Sequence, residues 1–395
     1  MARTNLLFIV TKLELGGAQK QLLSLIQCLK ETREFNIFLF TSKEGLLLKD
    51  ALKIESLTLR KSSCLVRAIN PFKDLMAVFE IYRFIKKNNI KIVHTHSSKA
   101  GILGRFAAKL AGAKCVIHTV HGWPFHGYQP WFCRGLYIHL EKQSARFTDK
   151  IVVVSQADQE MGLRHSVGKG NQYQLIRYGI DPSFFEKQVA ERKLREEFAI
   201  SAEDLLVTNI SCFKPQKSPL DFIRVANMVL KTLPEVKFLL IGDGKLRLGI
   251  EKLIGKLNLE GKIILAGWRR DIPEILSETD VLVLTSLWEG LPISVLEALA
   301  SGCPVVTTDT GGIRDVIQDG KNGFLVQPKE IAKMAEKLTL LLQNDALRKS
   351  MSAFSRKSLQ DGFYFRDSCK HYQQLYKNFI LSKGINSSHT EYVSN

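Results

Sequence analysis

DVLVLTSLWEGLPISVLEALASGCPVVTTDTGG, residues 280–312, is the stretch whose reading decides the fold. Asp280–Ser286 is a short run of β-branched and apolar residues, of the kind that fills a parallel strand buried on both faces. A loop follows from Leu287 to Leu291. Pro292 suits a first helical position, because its missing N–H has no intrahelical partner there and its φ is already helical. The helix then runs to Ser301, where Gly302 and Pro304 stop it. Pro304–Thr308 reads as the next strand, and Gly311-Gly312 opens another loop-to-helix turn. Two carboxylates stand in this unit: Glu289 in the loop, and Glu297 in a helix whose neighbours are nearly all apolar. An isolated buried carboxylate is costly, so Glu297 needs partners. A ligand at the open end of the sheet and a surface or arginine-paired position are equally good readings of that residue alone.

The same rhythm extends upstream. Leu205–Cys212, Lys237–Gly242 and Lys262–Ala266 read as strands, separated by helices at Pro219–Leu230, Lys245–Leu257 and Asp271–Ser277. The first half repeats it, with strands at Asn5–Val10, Asn36–Thr41, Lys91–His96, Cys115–Gly122, Ile151–Ser155 and Gln174–Asp181. Alternation of this kind means an α/β fold with parallel sheets and helices on both faces. At 395 residues the chain is long enough for two such domains. The charged run Glu186–Glu197 is the expected linker, giving domains at 1–186 and 187–365 with a cleft between them. Arg366–Leu381 has an amphipathic pattern and must pack on something, whereas 384–395 is polar and reads as a disordered tail.

Bulk properties narrow the class. The longest apolar runs fall far short of the roughly 18–20 residues needed to span a bilayer. Met1–Val10 is too weakly apolar for a secretory signal and reads as the first strand. The seven cysteines are scattered and odd in number, which points to a reducing cytoplasm and away from zinc or a disulfide framework. Of the net charge of +17, residues 1–190 contribute +14 and the remainder +3. So basic a first half points to a polyanionic partner, either nucleic acid or an anionic membrane surface, with an ordinary basic surface as the plain alternative. Pro71–Asn88 gives this a local form: a helix with Lys73, Arg83, Lys86 and Lys87 opposite its apolar side. Tyr128, Trp131 and Phe132 at the start of a helix over Tyr128–Arg146 suit a lipid-facing or acceptor-facing edge, or core packing, equally.

Histidines 94, 96, 118 and 121 lie near the ends of two strands, where ligands of parallel α/β sheets bind. No acid stands close in sequence and Cys115 is the only nearby thiol, so their spacing matches no zinc site. For any one of them a core or capping role outweighs catalysis. Gly16-Gly17 marks a strand-to-helix turn that brings amides to an anion, a weak signal alone. Ser97-Ser98 suits the N-cap of the helix after Lys91–His96.

With EGLPISVLE at 289–297 and GCPVVTTDTGG behind it, the chain resembles the family 4 retaining glycosyltransferases of the GT-B fold from Asn5 to about Ile380. GGAQ (16–19), HTHSSKAGILGR (94–105), HTVHG (118–122), FKPQKSP (213–219) and LLIGDG (239–244) recur in the family's order. The resemblance implies two Rossmann-like domains, acceptor side first and nucleotide-sugar side second, with the last helix packing back on the first. It implies that Glu297 accepts hydrogen bonds from the donor ribose and that Glu289 meets the transferred sugar. It also implies that amides of Gly290, Leu291 and Ile293 beside Pro292 hold anionic groups, with Lys217 on the donor diphosphate. His121 falls near the reacting sugar, and Gly17, on the donor side, belongs to the glycine loop that faces that sugar. Lys214 and Gly242 become further donor-side candidates, and Gly16, His96, Lys99 and Arg105 acceptor-side ones. Two departures stand out: Cys212 occupies the place of a usual arginine, and Tyr178 that of a usual asparagine. Lys214 or Arg270 is the expected substitute for the lost charge.

The expected reaction moves a hexose or N-acetylhexosamine from a nucleotide sugar, UDP-linked, to a polyprenyl-diphosphate-linked glycan. The expected place is the inner face of the cytoplasmic membrane. No Asp-x-Asp motif is present, so no metal and no other cofactor is expected. A soluble acceptor or a sugar-nucleotide epimerase are alternatives, the latter turning over donor with no acceptor. Nucleic acid is not an expected partner, since charge alone favours it and no recognition motif is present.

Overall fold

The computed structural model describes residues 3–186, 193–359 and 362–385. Of the run read as a linker, 187–192 lie outside the described residues and Lys193–Glu197 forms a short helix; of the expected tail, 386–395 lie outside them, while Ile385, near its start, is buried. Two compact units form, one from the residues up to Arg177 together with those from Asp367 onward, the other from Tyr178 to Arg366.

In the first unit the strands are β1 (Thr4–Val10), β2 (Phe35–Ser42), β3 (Thr58–Ser62), β4 (Ile92–His96), β5 (Cys115–Val120), β6 (Lys150–Val153) and β7 (Tyr173–Leu175). They form one parallel sheet in the order β3-β2-β1-β4-β5-β6-β7. The second unit has β8 (Leu206–Ile210), β9 (Lys237–Ile241), β10 (Ile263–Gly267), β11 (Val281–Leu284), β12 (Val305–Thr308) and β13 (Gly323–Val326), ordered β10-β9-β8-β11-β12-β13 and again parallel. Parallel neighbours need crossovers, and helices supply them on both faces, so the central strands are apolar without alternation: Leu6–Ile9 and Val281–Val283 are wholly buried.

Several sequence readings shift. β3 went unread because its sequence, TLRKS, is that of an exposed edge strand with no apolar run to betray it. Gln174–Asp181 is a strand only to Leu175, while Ile180 forms an isolated bridge with Tyr364. Pro292 is the N-cap rather than the first helical residue, with an extended ψ of 119°. Ser97 stands at the helix start but caps nothing: its Oγ lies 2.8 Å from Thr11 Oγ1, tying the ends of β1 and β4 together.

The C-terminal helix Phe365–Ser382 closes the first unit. Tyr376 is fully buried, edge-on to Phe8 and Phe35, with its hydroxyl 2.7 Å from His94 Nδ1. Cys369 on this helix is bonded to Cys28 on the helix Gly17–Glu31, 341 residues away in sequence. The reading against disulfides is corrected here: a pairing between chain ends leaves no spacing pattern to read. Cys28→Ser is expected to lower stability by about 2–4 kcal/mol in non-reducing buffer. In dithiothreitol variant and wild type should coincide, which scanning calorimetry in both buffers checks.

Candidate active site

The order of the second sheet reverses between β8 and β11: the chain steps outward from β8 to β10, then returns to β8's other side. Loops leaving adjacent strands on either side of such a reversal diverge and open a crevice at the carboxyl edge. The loop after β8 carries Lys214 and Lys217, and the loop after β11 carries Glu289 and leads into the helix Ile293–Ser301. Backbone and side chain lace the two loops together. Leu287 N donates to Gln216 O at 2.7 Å, Gln216 Nε2 to Trp288 O at 2.8 Å, and Thr285 Oγ1 to Lys217 O at 3.0 Å. Lys217 Nζ, so positioned, donates to Glu289 Oε1 in a mostly buried ion pair.

Gly311 explains why this loop keeps its shape. A Cβ there would lie 1.9 Å from the Glu289 carbonyl oxygen, and its φ of +56° is left-handed. The close approach lets Gly312 N donate to Gly290 O at 2.6 Å. Gly242 does the same for the first loop: a Cβ would meet Ser211 O at 2.0 Å. Gly290, Leu291, Pro292 and Ile293 are buried, and the helix they introduce has no side-chain cap and no acid in its first turn. Its positive end is therefore suited to an anion. Glu297 is half-buried one turn further on. The carboxyl edge of the sheet thus combines a cation, an uncapped helix N-terminus and two carboxylates, the equipment for an anionic group joined to a polyhydroxylated one.

The first sheet reverses between β1 and β4. Here the helix Gly17–Glu31 starts with Gly16 as N-cap and no side-chain cap. His96 ends β4 and His121 follows β5; His96 Nδ1 and His121 Nε2 are 2.9 Å apart, with the rings stacked. His94 and His118 belong to the core. His94 is held between Tyr376 and Thr119, its Nε2 2.7 Å from Thr119 Oγ1, and His118 Nδ1 lies 2.9 Å from Thr95 Oγ1. Loss of solvation pushes all four imidazoles down, His121 to about 4, with neighbouring imidazoles adding to the effect at His94 and His96, and Arg105 and neighbouring imidazoles at His118. They are neutral at physiological pH.

Two acceptor-side candidates have other duties. Arg105 is fully buried, donating to Gly101 O at 2.8 Å and to the equally buried Glu141 at 2.5 Å. It joins two helices and offers no face to a substrate, so the acceptor reading of Arg105 is corrected. Lys99 is tied to Asp74 at 2.5 Å and to the carbonyl of Ala68. The sequence reading gives no partner for Gln216, whose bridge to Trp288 crosses 72 residues, or for Tyr372, whose hydroxyl lies 3.4 Å from Thr119 Oγ1. Neither stands in a local pattern that names its partner.

Comparison with known proteins agrees with this architecture. Residues 15–184 match the family described as Glycosyltransferase Family 4, and residues 190–358 the one described as Glycosyl transferases group 1. The UDP-Gal:alpha-D-GlcNAc-diphosphoundecaprenol alpha-1,3-galactosyltransferase of Escherichia coli is 32% identical over 323 residues, 81% of this chain and 83% of that protein. Among solved structures, Anabaena Alr3699/HepE in complex with UDP-glucose superposes with a TM-score of 0.81 at 19% identity, over 95% of this chain and 100% of that one. The sucrose-phosphate synthase of Thermosynechococcus elongatus gives 0.83 at 20% identity, over 96% and 100%. With two parallel α/β units of this order and a relative of that identity, the chain belongs to the family 4 glycosyltransferases of the GT-B fold.

Proposed function

We propose that this glycosyltransferase moves a hexose or N-acetylhexosamine, with retention of anomeric configuration, from a UDP-sugar to a polyprenyl-diphosphate-linked glycan. The observation that carries the reading is the Lys217–Glu289 pair at the reversal of the second sheet, beside an uncapped helix N-terminus. The relative that acts on UDP-Gal and a diphosphoundecaprenol-linked sugar supports the substrate classes. In this reading Lys217 and the amides at Gly290, Leu291 and Ile293 take the donor diphosphate, and Glu297 accepts from the ribose hydroxyls. Glu289 meets the transferred sugar, and His121, neutral and backed by His96, stands near the reacting sugar.

As the glycosidic bond breaks, negative charge gathers on the departing UDP, and a fixed cation there lowers the barrier. No side chain is assigned as nucleophile; the leaving diphosphate itself assists attack from the same face. The reaction proceeds without a metal, on the inner face of the cytoplasmic membrane. Among the described residues no helix is long and apolar enough to cross a membrane.

A panel of UDP-, GDP- and ADP-sugars, scored by protection from thermal unfolding and by transfer to polyprenyl-diphosphate-GlcNAc, tests the proposal. UDP-sugars alone should protect, and full rates should survive EDTA. Donor turnover without acceptor would favour an epimerase instead. The charge missing at Cys212 has a sharper test. Lys214→Ala or Arg270→Ala is expected to weaken donor binding about tenfold, the worth of a charge-assisted hydrogen bond. If both bind donor normally by titration calorimetry, neither replaces the family arginine.

A further inference from the structure

The crossovers from β3 to β4, β4 to β5 and β5 to β6 all step the same way along the first sheet. Right-handed connection therefore places their helices, Pro71–Lys87, Ser98–Ala111 and Trp131–Ala145, in one layer, packed in that order. Helix Pro71–Lys87 buries Ala77, Ile81 and Ile85 against the sheet. Its opposite face is apolar as well. Phe72, Leu75 and Phe79 stand 75%, 68% and 50% exposed at three- and four-residue spacing, and Ile69 just ahead of them is 72% exposed.

The charges around this stripe have one sign. Every exposed charged residue between Thr58 and Asn89 is a lysine or arginine. The two acids of the helix are turned away: Asp74 is paired with Lys99, and Glu80 carries a solvent-inaccessible carboxylate oxygen. Trp131 and Phe132, 84% and 60% exposed, open the third helix of the layer. Helices that follow parallel strands begin at the sheet's carboxyl edge, so Phe72 and Trp131 both sit on the edge where His96 and His121 lie.

A second copy of the chain is a poor occupant for this face, since a two-fold contact would set cation against cation. An anionic lipid surface satisfies both features at once, apolar side chains entering the headgroup boundary and lysines and arginines meeting acidic headgroups. We propose that this face docks the protein on an anionic bilayer, with Phe72, Leu75 and Phe79 inserted and Lys73, Arg83, Lys86 and Lys87 on the headgroups. Docking presents the edge that bears His121 to the bilayer surface. That this serves a lipid-linked acceptor rests on the function proposed above; the docking itself does not.

Full-length protein, without any sugar nucleotide, is sedimented with vesicles of phosphatidylcholine, alone or mixed with phosphatidylglycerol. Binding is expected to the mixed vesicles only and to weaken with salt. Phe72→Ser/Leu75→Ser/Phe79→Ser should weaken it at least about tenfold, given the apolar area withdrawn. Lys73→Gln/Arg83→Gln/Lys86→Gln/Lys87→Gln should weaken it roughly fivefold per removed charge. The substituted side chains are exposed, so both variants should keep the wild-type unfolding midpoint. Equal binding to the two vesicle types, or undiminished binding by both variants, overturns the proposal. So does an apolar variant whose only change is conversion of a dimer to a monomer. Transfer to a short-chain, water-soluble acceptor separates the two claims. It should be equal in wild type and variants if the reaction is right, and absent from all of them, with the vesicle results unaltered, if only the reaction is wrong.

Discussion

Lys217→Ala is expected to lower the turnover of sugar transfer about a hundred- to a thousandfold, the usual cost of removing one fixed donor from a developing charge. The loop itself should survive the change, because Thr285 and Leu287 hold its backbone rather than the lysine side chain. Two effects then act together. The departing diphosphate loses its cation, and Glu289, 6% exposed, keeps a buried negative charge without its counterion beside the incoming anion. Adding Glu289→Gln to Lys217→Ala should therefore recover part of the donor affinity while leaving turnover low. Donor titration calorimetry and single-turnover transfer on both variants separate binding from rate. Retention of wild-type turnover by Lys217→Ala would reduce the pair to a structural tie.

Acid should unfold the first unit more steeply than its carboxylates alone would allow. Histidines 94, 96, 118 and 121 all have imidazoles pushed below their usual range by burial, His121 to about 4. In the unfolded chain they titrate near 6.5. Between those limits the unfolded state binds more protons than the folded one, so stability falls as pH falls and is level above about 6.5. The slope is about 1.4 kcal/mol per pH unit for each histidine that titrates only on unfolding. Calorimetric midpoints from pH 8 down to pH 4 check it, and His118→Asn should make the slope shallower. A midpoint that holds steady from pH 7 to pH 5 would mean that these imidazoles can be protonated in place.

Much of the fold around the candidate site was legible because its determinants are local. Residues 280–312 carry their own strand, stop signals and helix, and the structure departs from that reading mainly at Pro292, whose missing N–H suits the N-cap as well as the first turn. What stayed hidden depends on distant partners. Lys217 meets Glu289 across 72 residues, and Cys28 meets Cys369 across 341. Arg105 lies in a motif that suggests chemistry, yet which helix face it occupies is settled by Glu141, a residue nothing nearby points to. The histidines divide likewise: His94 and His118 end among threonine and tyrosine hydroxyls, whereas His96 and His121 pair beyond the strand ends. β3 was missed for the opposite reason, an exposed edge strand having no apolar signature to show.

The first unit is discontinuous, since its sheet is complete by Leu175 but Tyr372 and Tyr376 come from the far end of the chain. During synthesis, the face of β1 and β4 bearing Phe8 and His94 must wait for that helix while residues 178–366 are made. That takes on the order of 10–40 seconds at ordinary elongation rates. Throughout that interval the nascent chain presents an apolar sheet surface on which His94 lacks its Tyr376 partner, the kind of exposure that favours aggregation. The second unit, contiguous in sequence, has no such delay and can reach its native state while the first is still open.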